Sequence, residues 1–461
     1  MLEKNVDMAL IGHNYLSYLL SFDLLAKNKK VLMLDDERLK YGALFGRQVS
    51  ELERSFLKTW GEDSKVEPFI NLDRYLTQTS LHFHADQSIV HLGRSPFDNL
   101  MELCRKFPLL FLKPNGEVAF TNTQEFKDKV NSEFLSFCHR VGQNTCRFSS
   151  LQSISLETFL NHCPATIKEL FLLFKSNVEE LYIQESKHWE YKTFLYSAKA
   201  FFQSRMSLKS SEIEIFHLFH SLVSPFYKLQ EDKINAELKN IFEERGGQLK
   251  RTHVREWKFY KESPWSIELA SFEGIIHPAR VSLLGGIPEK LPLKVFPDNK
   301  CYKNVTSKVL IDENSNLQDG IYILSKNNRI GTNYALIVLE KSGHTCHVEQ
   351  YVLKKKGQKI SFFLKDLTSW LKNDLRELIP GIRNYSITSD FEFGDEVFVA
   401  EGTVGRIKNG IQLPKRVRIY DTSNPIIKKK LNNVFYFGPY KDSHLGLFTT
   451  LVDIKETQQF L

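Results

Sequence analysis

The chain has 461 residues, of which 42% are hydrophobic and 25% charged, and its formal net charge is +7. This composition is typical of a globular protein with room for two or three domains. The charge is small for the length and comes mainly from scattered lysines, with short triplets at 354–356 and 428–430. Such triplets are typical of solvated loops, which excludes nucleic acid as the expected partner and leaves a peripheral contact with an anionic membrane as the alternative.

The cysteines favour a reducing compartment. None of the six is part of a C-x-x-C motif, and their spacing is irregular. Free thiols in the cytoplasm are therefore expected. No run of eighteen apolar residues occurs, and the first apolar run reads as a strand, so neither a transmembrane span nor a signal peptide is predicted.

The first forty residues predict a strand–helix–strand unit. Residues 5–12 read as a buried strand that ends in Gly12, and residues 14–27 read as a helix with a stripe of leucines. A second apolar run, residues 30–34, closes on Asp35 and Asp36. Strand, glycine turn, helix, strand and terminal acid are the parts of a dinucleotide-binding βαβ unit.

Only part of the glycine fingerprint is present in this unit. The motif G-x-G-x-x-G falls on Gly12, Asn14 and Ser17, and Asp35 lies eighteen residues beyond Ser17, where an acid binds ribose hydroxyls. The first glycine allows the tight turn, the second lets the backbone approach a pyrophosphate, and the third lets the helix pack on the strand. Ser17 is a mild departure because it is small, whereas Asn14 places a side chain beside the phosphates.

This beginning resembles the flavoprotein family of amine oxidases and phytoene-desaturase-like enzymes. In that family the unit binds the ADP half of FAD, and a glycine pair follows the acid; the matching stretch here is 41–47, which contains Gly42 and Arg47. The resemblance implies an α/β fold, with a Rossmann-like FAD/NAD(P)-binding domain and a substrate domain of antiparallel sheet plus helices. The alternative is a generic βαβ unit in another α/β protein.

The next part of the chain predicts strands and then helices. Residues 48–66 read as loop or helix over the nucleotide cleft, and residues 81–92 as two strands around a turn at 86–87. Asn-Gly at 115–116 predicts a hairpin over 109–121. Residues 126–137 have helical spacing. Residues 150–229 predict aromatic-rich helices, either a buried helical subdomain or, in part, the lining of a channel for an apolar substrate.

The later elements follow the order of the same family. A helix at 234–245 ends at Gly246, and a strand at 248–257 contains Val254, whose backbone the resemblance places at the adenine. A hairpin at 267–276, a strand at 280–286 and an antiparallel sheet over 290–400 are expected to follow. The strand candidates of that sheet are 322–324, 335–339, 348–353 and 397–400, and a helix is predicted at 367–378. The sheet would form the substrate side of the flavin.

The last segment holds a second set of cofactor positions. A strand at 433–438 ends in Gly438, and a candidate helix begins near Gly446 and Leu447. In the family an acid after this glycine binds the ribityl chain, and the helix points its N-terminus at the flavin ring. Pro439 stands where the acid belongs, and proline supplies neither an acceptor side chain nor a backbone N–H.

Three histidine groups have residue types that bind metals. His217 and His220 share a helical face without a third ligand nearby, which favours a structural pair. The group His344, Cys346 and His347 follows Gly343, which predicts a hairpin turn. His82 and His84 lie on one face of a strand, toward either substrate or solvent. No Walker A loop, G-x-S-x-G elbow or H-E-x-x-H motif occurs in the sequence.

The predicted domains are discontinuous. Residues 1–60, 230–290 and 430–461 are assigned to the FAD/NAD(P)-binding domain, and residues 61–229 and 291–429 to the substrate domain with its helical insertion. The sequence is compatible with two functions. One is an FAD-dependent oxidoreductase that takes a hydride from a partly apolar small molecule. The other is a non-catalytic protein on the scaffold of Rab GDP-dissociation inhibitors, which has lost FAD and binds a protein or lipid partner, as Asn14 and Pro439 suggest.

Overall fold

The fold is known from a computed structural model. The structure describes most of the chain in segments, and all structural statements below refer to these residues. They are 3–35, 48–63, 71–85, 88–119, 122–148, 156–183, 188–203, 205–206, 211–260, 263–270, 274–284, 293–294, 301–311, 317–324, 334–352, 369, 375, 385–387, 392–400, 418–421, 428–430, 433–437 and 446–460.

Helices dominate the first half of the chain, and one more helix follows the last described strand. The described helices are α1 (Tyr15–Ala26), α2 (Glu51–Asp63), α3 (Pro96–Lys106), α4 (Gln124–Phe148), α5 (Leu156–His162), α6 (Ala165–Ile183), α7 (Trp189–Gln203), α8 (Glu212–Val223), α9 (Glu231–Glu244) and α10 (Gly446–Phe460). None of them is both long enough and apolar enough to cross a bilayer.

Strands form two large sheets and two small ones. The described strands are β1 (Glu3–Ile11), β2 (Val31–Asp35), β3 (Gln48–Ser50), β4 (Leu76–Gln78), β5 (Leu81–Ala85), β6 (Ser88–Leu92), β7 (Arg205–Met206), β8 (Phe226–Leu229), β9 (Gln248–Arg251), β10 (Val254–Tyr260), β11 (Ser263–Leu269), β12 (Ile275–Leu284), β13 (Leu293–Lys294), β14 (Cys301–Ile311), β15 (Gly320–Leu324), β16 (Tyr334–Ser342), β17 (Thr345–Val352), β18 (Tyr385–Ile387), β19 (Glu392–Ala400), β20 (Arg418–Asp421), β21 (Lys428–Lys430) and β22 (Val434–Phe437).

The first large sheet has a parallel centre. Strand β1 lies between β12 and β2, β2 also pairs with β9, and β22 pairs with the end of β12, all in parallel. Strands β10 and β11 extend the sheet in antiparallel fashion from the start of β12. Ligands of open parallel sheets bind outside the carboxyl ends of the strands, so the ends of β1 and β2 mark the edge of interest.

Both faces of this sheet are covered. Alternate residues of β2 point to opposite sides, so Met33 belongs to the large core shared with the helices and Leu32 to a smaller core with Val254 and Trp257. Helix α1 contacts α9 and α10. Ten of its twelve residues are buried, which explains why this leucine-rich helix has almost no polar face.

The second large sheet carries the aromatic helices. Its strands follow the order β6-β5-β15-β16-β17-β14-β19-β7, with β18 beside β14. Phe83 of β5 packs edge-on against Phe194 and Phe201 of α7, with ring centroids 5.7 and 5.8 Å apart. These described rings fill a core, as the first interpretation of the aromatic region predicted.

Most predicted elements are confirmed. The strands around 81–92, 322–324, 335–339, 348–352 and 397–400 are present, and so are the hairpin turn at Gly343 and the helix after Gly446. The hairpin at 267–276 is also present, but its second strand continues to Leu284, so it and the strand predicted from residue 280 are one element. The helix predicted at 367–378 lies almost entirely outside the described residues.

Two predicted strand segments are wrong. The hairpin over 109–121 is reduced to one bridge between Leu112 and Val118, because Pro108–Phe111 form a 3₁₀ turn. The single strand predicted at 248–257 is two strands. Its first part, β9, pairs with β2, and its second part, β10, pairs with β11.

Candidate functional site

The turn after β1 requires glycine. Gly12 has φ +118°, and a Cβ built on it would lie 2.3 Å from the carbonyl oxygen of Leu284 at the end of β12. The Gly12 N–H donates to the carbonyl oxygen of Leu34, 3.1 Å away. The turn is thus enclosed between the carboxyl ends of β12 and β2, where only a residue without a side chain fits.

Asn14 and Ser17 cap the helix that follows. Asn14 is the N-cap of α1, and its Oδ1 accepts from the Ser17 N–H at 3.0 Å. Ser17 Oγ donates to the Gly12 carbonyl oxygen at 2.6 Å. Both side chains are buried, and Asn14 Nδ2 has no hydrogen-bond partner among the described residues. The three fingerprint positions are therefore linked directly, and one buried donor is left over.

Asp35 ends β2 beside this turn and is paired. Its Oδ2 lies 3.3 Å from His13 Nδ1 and 3.5 Å from Arg251 Nε at the end of β9. The hydrogen bond from His13 holds the pKa of Asp35 below its ordinary value, with a smaller contribution from Arg251. The carboxylate is therefore ionised at neutral pH and acts as a hydrogen-bond acceptor.

His13 connects this acid to a buried phenol. His13 Nε2 lies 2.7 Å from the hydroxyl of Tyr18, and burial raises the pKa of Tyr18, which keeps the phenol protonated. Because ionised Asp35 only accepts, the hydrogen bond between them requires a proton on His13 Nδ1. Sequence reasoning missed His13 and Arg251, since neither belongs to the glycine fingerprint. The one available signal was the position of His13 directly after Gly12.

A buried carboxylate from α2 lies at the beginning of the C-terminal helix. Helix α10 begins at Gly446, and Leu447 is buried. The buried Glu53 accepts from the Phe448 N–H at 3.1 Å through Oε1, and from the Ser50 N–H at 2.6 Å through Oε2. Its carboxylate therefore lies at the N-termini of both α2 and α10, and burial raises its pKa to about 6. Sequence reasoning missed this residue as well.

Not every predicted site residue is brought to this edge of the sheet. Val254 begins β10, where it pairs with Leu269, and its side chain lies in the smaller core. Its backbone contact with adenine stays a prediction. Asp36, Gly42, Arg47 and Gly438, together with Pro439, lie outside the described residues.

The histidines that the sequence suggests as metal ligands in β5 and α8 lie in other parts of the fold. His82 and His84 are buried, and His82 Nδ1 lies 2.7 Å from His91 Nδ1. His220 Nε2 lies 3.1 Å from the sulfur of Cys138 in the helical core. Within the described segments, no three His, Cys, Asp or Glu residues are arranged to hold a metal ion.

Comparisons with known proteins connect this chain to solved structures only. No protein-family model and no curated protein matches its sequence. It is similar to an oxidoreductase from Methanosarcina mazei, with 12% identity, a TM-score of 0.50 and coverage of 99% of this chain and 100% of that chain. A Rab GDI from Plasmodium falciparum matches with 14% identity, a TM-score of 0.43 and coverage of 86% and 92%.

The likeness to the structure from Methanosarcina mazei concerns the fold alone. The chain has a mixed α/β fold of the FAD/NAD(P)-binding Rossmann type, with a parallel-centred sheet and a second, largely antiparallel sheet. The fold predicted from the sequence is thus confirmed. Fold alone does not define an activity, which has to be argued from the residues at the site.

Proposed function

We propose that the protein is an FAD-dependent oxidoreductase acting on a partly apolar small molecule. The observation that carries this proposal is the carboxyl edge of β1 and β2. There, the Gly12 turn leads directly into the N-terminus of α1, with ionised Asp35 on the neighbouring strand. The full-length likeness to the oxidoreductase from Methanosarcina mazei supports it.

The residues present fit the ADP half of such a cofactor. Gly12 permits the tight turn that leads into the N-terminus of α1, and Asn14 Nδ2 is a buried donor that lacks a partner among the described residues. Asp35 would accept from ribose hydroxyls, and Arg251 and His13 would hold its carboxylate ionised and oriented. The flavin, when bound, would supply the hydride chemistry, while the chain would supply orientation and exclude water.

A second function is favoured by a different observation. Glu53 already uses the Phe448 N–H at the beginning of α10, and His13 already occupies one oxygen of Asp35. A protein that has lost FAD would replace cofactor contacts with internal ones of this kind. The alternative is therefore a non-catalytic protein that binds a protein or lipid partner through the same scaffold.

The visible absorption spectrum of the purified protein tests the first function. We expect a flavin band, and FAD identified by mass spectrometry after acid denaturation. Asp35→Ala should lose the bound flavin, whereas Asp23→Ala, toward the far end of α1, should retain it. A colourless protein that also fails to bind added FAD would overturn the oxidoreductase and favour the partner-binding alternative. Flavin content unchanged by Asp35→Ala would overturn the assigned role of that acid.

A further inference from the structure

We infer that the side-chain amide of Asn14 is a phosphate-binding group, which donates from Nδ2 to a phosphate oxygen of an ADP-containing ligand. The inference deepens the proposed function and rests on its ADP-containing cofactor. It assigns a role to the residue that departs most clearly from the glycine fingerprint. The position that normally lets a backbone approach the phosphates would here contribute a side-chain donor.

Hydrogen bonds fix the orientation of this amide. Oδ1 accepts from the Ser17 N–H at 3.0 Å and lies 3.3 Å from Ser17 Oγ. A flipped amide would place its NH₂ group against the Ser17 N–H, so that two donors would face each other. Nδ2 therefore points away from the first turn of α1. It is buried without a hydrogen-bond partner in the described part of the chain, an arrangement that is costly unless a ligand supplies an acceptor.

The surroundings of Nδ2 favour an anion as that acceptor. Asn14 caps a helix of twelve residues whose first turn contains no acidic side chain, so α1 itself does not neutralise the positive end of its dipole. The Gly12 carbonyl oxygen accepts from Ser17 Oγ. The nearby acid, Asp35, is paired with His13 and Arg251.

Another buried asparagine shows the difference. Asn99 is fully buried, its Nδ2 donates to the carbonyl oxygens of Val223 and Ser224, both at 3.0 Å, and its Oδ1 accepts from the Arg94 N–H at 3.1 Å. Asn99 is thus satisfied at both ends of its amide. Within the described part of the chain, Asn14 is satisfied only at its oxygen, so its NH₂ group is available to a ligand.

The test replaces the donor and keeps the cap. Asn14→Asp retains an oxygen for the Ser17 N–H but removes the NH₂ group and adds a negative charge, so ADP should bind at least tenfold more weakly in calorimetry. Asn14→Ser keeps a capping oxygen without adding charge and should weaken ADP binding less. Asn28→Asp makes the same change of charge just beyond the other end of α1 and should bind ADP like the wild type.

The outcomes separate this inference from the proposed function. Unfolding without ligand shows whether each variant is folded, and both variants keep a side-chain oxygen that can cap α1. If folded Asn14→Asp and Asn14→Ser bind ADP like the wild type, the role of Asn14 is overturned. If the wild type binds ADP but not FAD, and Asn14→Asp loses ADP, the role stands and the flavin function fails. If the wild type binds neither, both fail.

Discussion

Gly12 determines whether the turn at the end of β1 can form. Its φ is +118°, and an added Cβ would lie 2.3 Å from the Leu284 carbonyl oxygen, which is backbone and cannot rotate away. Gly12→Ala should therefore combine backbone strain with a steric clash and lower the free energy of unfolding by roughly 3 kcal/mol. Urea denaturation measures this change.

Gly246 provides the matched control for that prediction. It also has a positive φ, +84°, but an added Cβ would meet nothing within 4 Å. Gly246→Ala should therefore cost only the strain of the left-handed conformation, about 1 kcal/mol. Equal costs at the two positions would contradict the argument from the Leu284 contact.

At the residue scale, the sequence predicted the parts of the site that follow a local pattern. Gly12, Asn14, Ser17 and Asp35 are predicted as site residues because strand, turn and helix succeed one another with fixed spacing, and the structure brings them to one edge of the sheet. Glu53 was not, because its bond to the Phe448 N–H joins residues 395 positions apart. A surface-exposed glutamate in an amphipathic helix and a buried one look the same in sequence, and only the packing of α2 against α10 separates them.

Among the elements, α2 and α10 are joined by a titratable group. Burial raises the pKa of Glu53 from 4.5 to about 6, so between these values the folded protein holds a proton that the unfolded chain releases. Glu53 therefore adds stability as the pH falls through this window, by about 2 kcal/mol in total. Glu53→Gln should lack this gain.

Denaturation at a series of pH values isolates the effect. The difference in unfolding free energy between wild type and Glu53→Gln should move in favour of the wild type from pH 7 to pH 4.5. Glu62→Gln, an exposed change in the same helix, should leave the difference constant. A difference that did not vary with pH would show that Glu53 is not titrating as a buried carboxylate.

His220 in helix α8 makes the protein less stable at low pH, which is the opposite of the effect of Glu53. Burial lowers the pKa of His220 from 6.5 to about 3. As the pH falls below 6.5, the unfolded chain therefore binds a proton at His220 that the folded chain does not bind until about pH 3. The free energy of unfolding therefore does not depend on the titration of His220 above pH 6.5. Between pH 6.5 and pH 3 it decreases on acidification by up to about 1.4 kcal/mol per pH unit.

His220→Gln should therefore reduce the slope of the unfolding free energy against pH, below pH 6.5, by about the contribution of one proton. The glutamine keeps a polar atom near the sulfur of Cys138. His139→Gln, an exposed change next to Cys138 in α4, is the control and should leave the slope unaltered. An unchanged slope in His220→Gln would mean that His220 does not account for the acid sensitivity.

Elements were predicted well where their pattern was long and poorly where it was short. The apolar run 109–111 resembles a strand arm, but Pro108 begins a 3₁₀ turn there, and three or four apolar residues do not distinguish the two. The split between β9 and β10 was missed for a related reason. Residues 248–257 are compatible with one strand, and only the two different partners, β2 and β11, divide them.

At the scale of the whole molecule, the order of strands depends on contacts that no local pattern specifies. Strand β12 pairs with β11 at its start and with β22 at its end, and it lies beside β1 along most of its length. The family resemblance predicted the order of the elements along the chain but not these pairings. Because of the pairings, the beginning and the end of the chain share one core.

That shared core predicts that damage near the C-terminus loosens the N-terminal βαβ unit. Leu451 of α10 is fully buried in the core that includes α1 and α2, and Leu451→Ala should lower the free energy of unfolding by about 2–5 kcal/mol. Amide hydrogen exchange followed by mass spectrometry should then be faster in β1 and α1 as well as in α10. Leu135→Ala, the same change at an exposed position of α4, should leave both regions unaltered. Faster exchange in α10 alone would mean that this helix opens independently and that the two ends of the chain do not unfold as one unit.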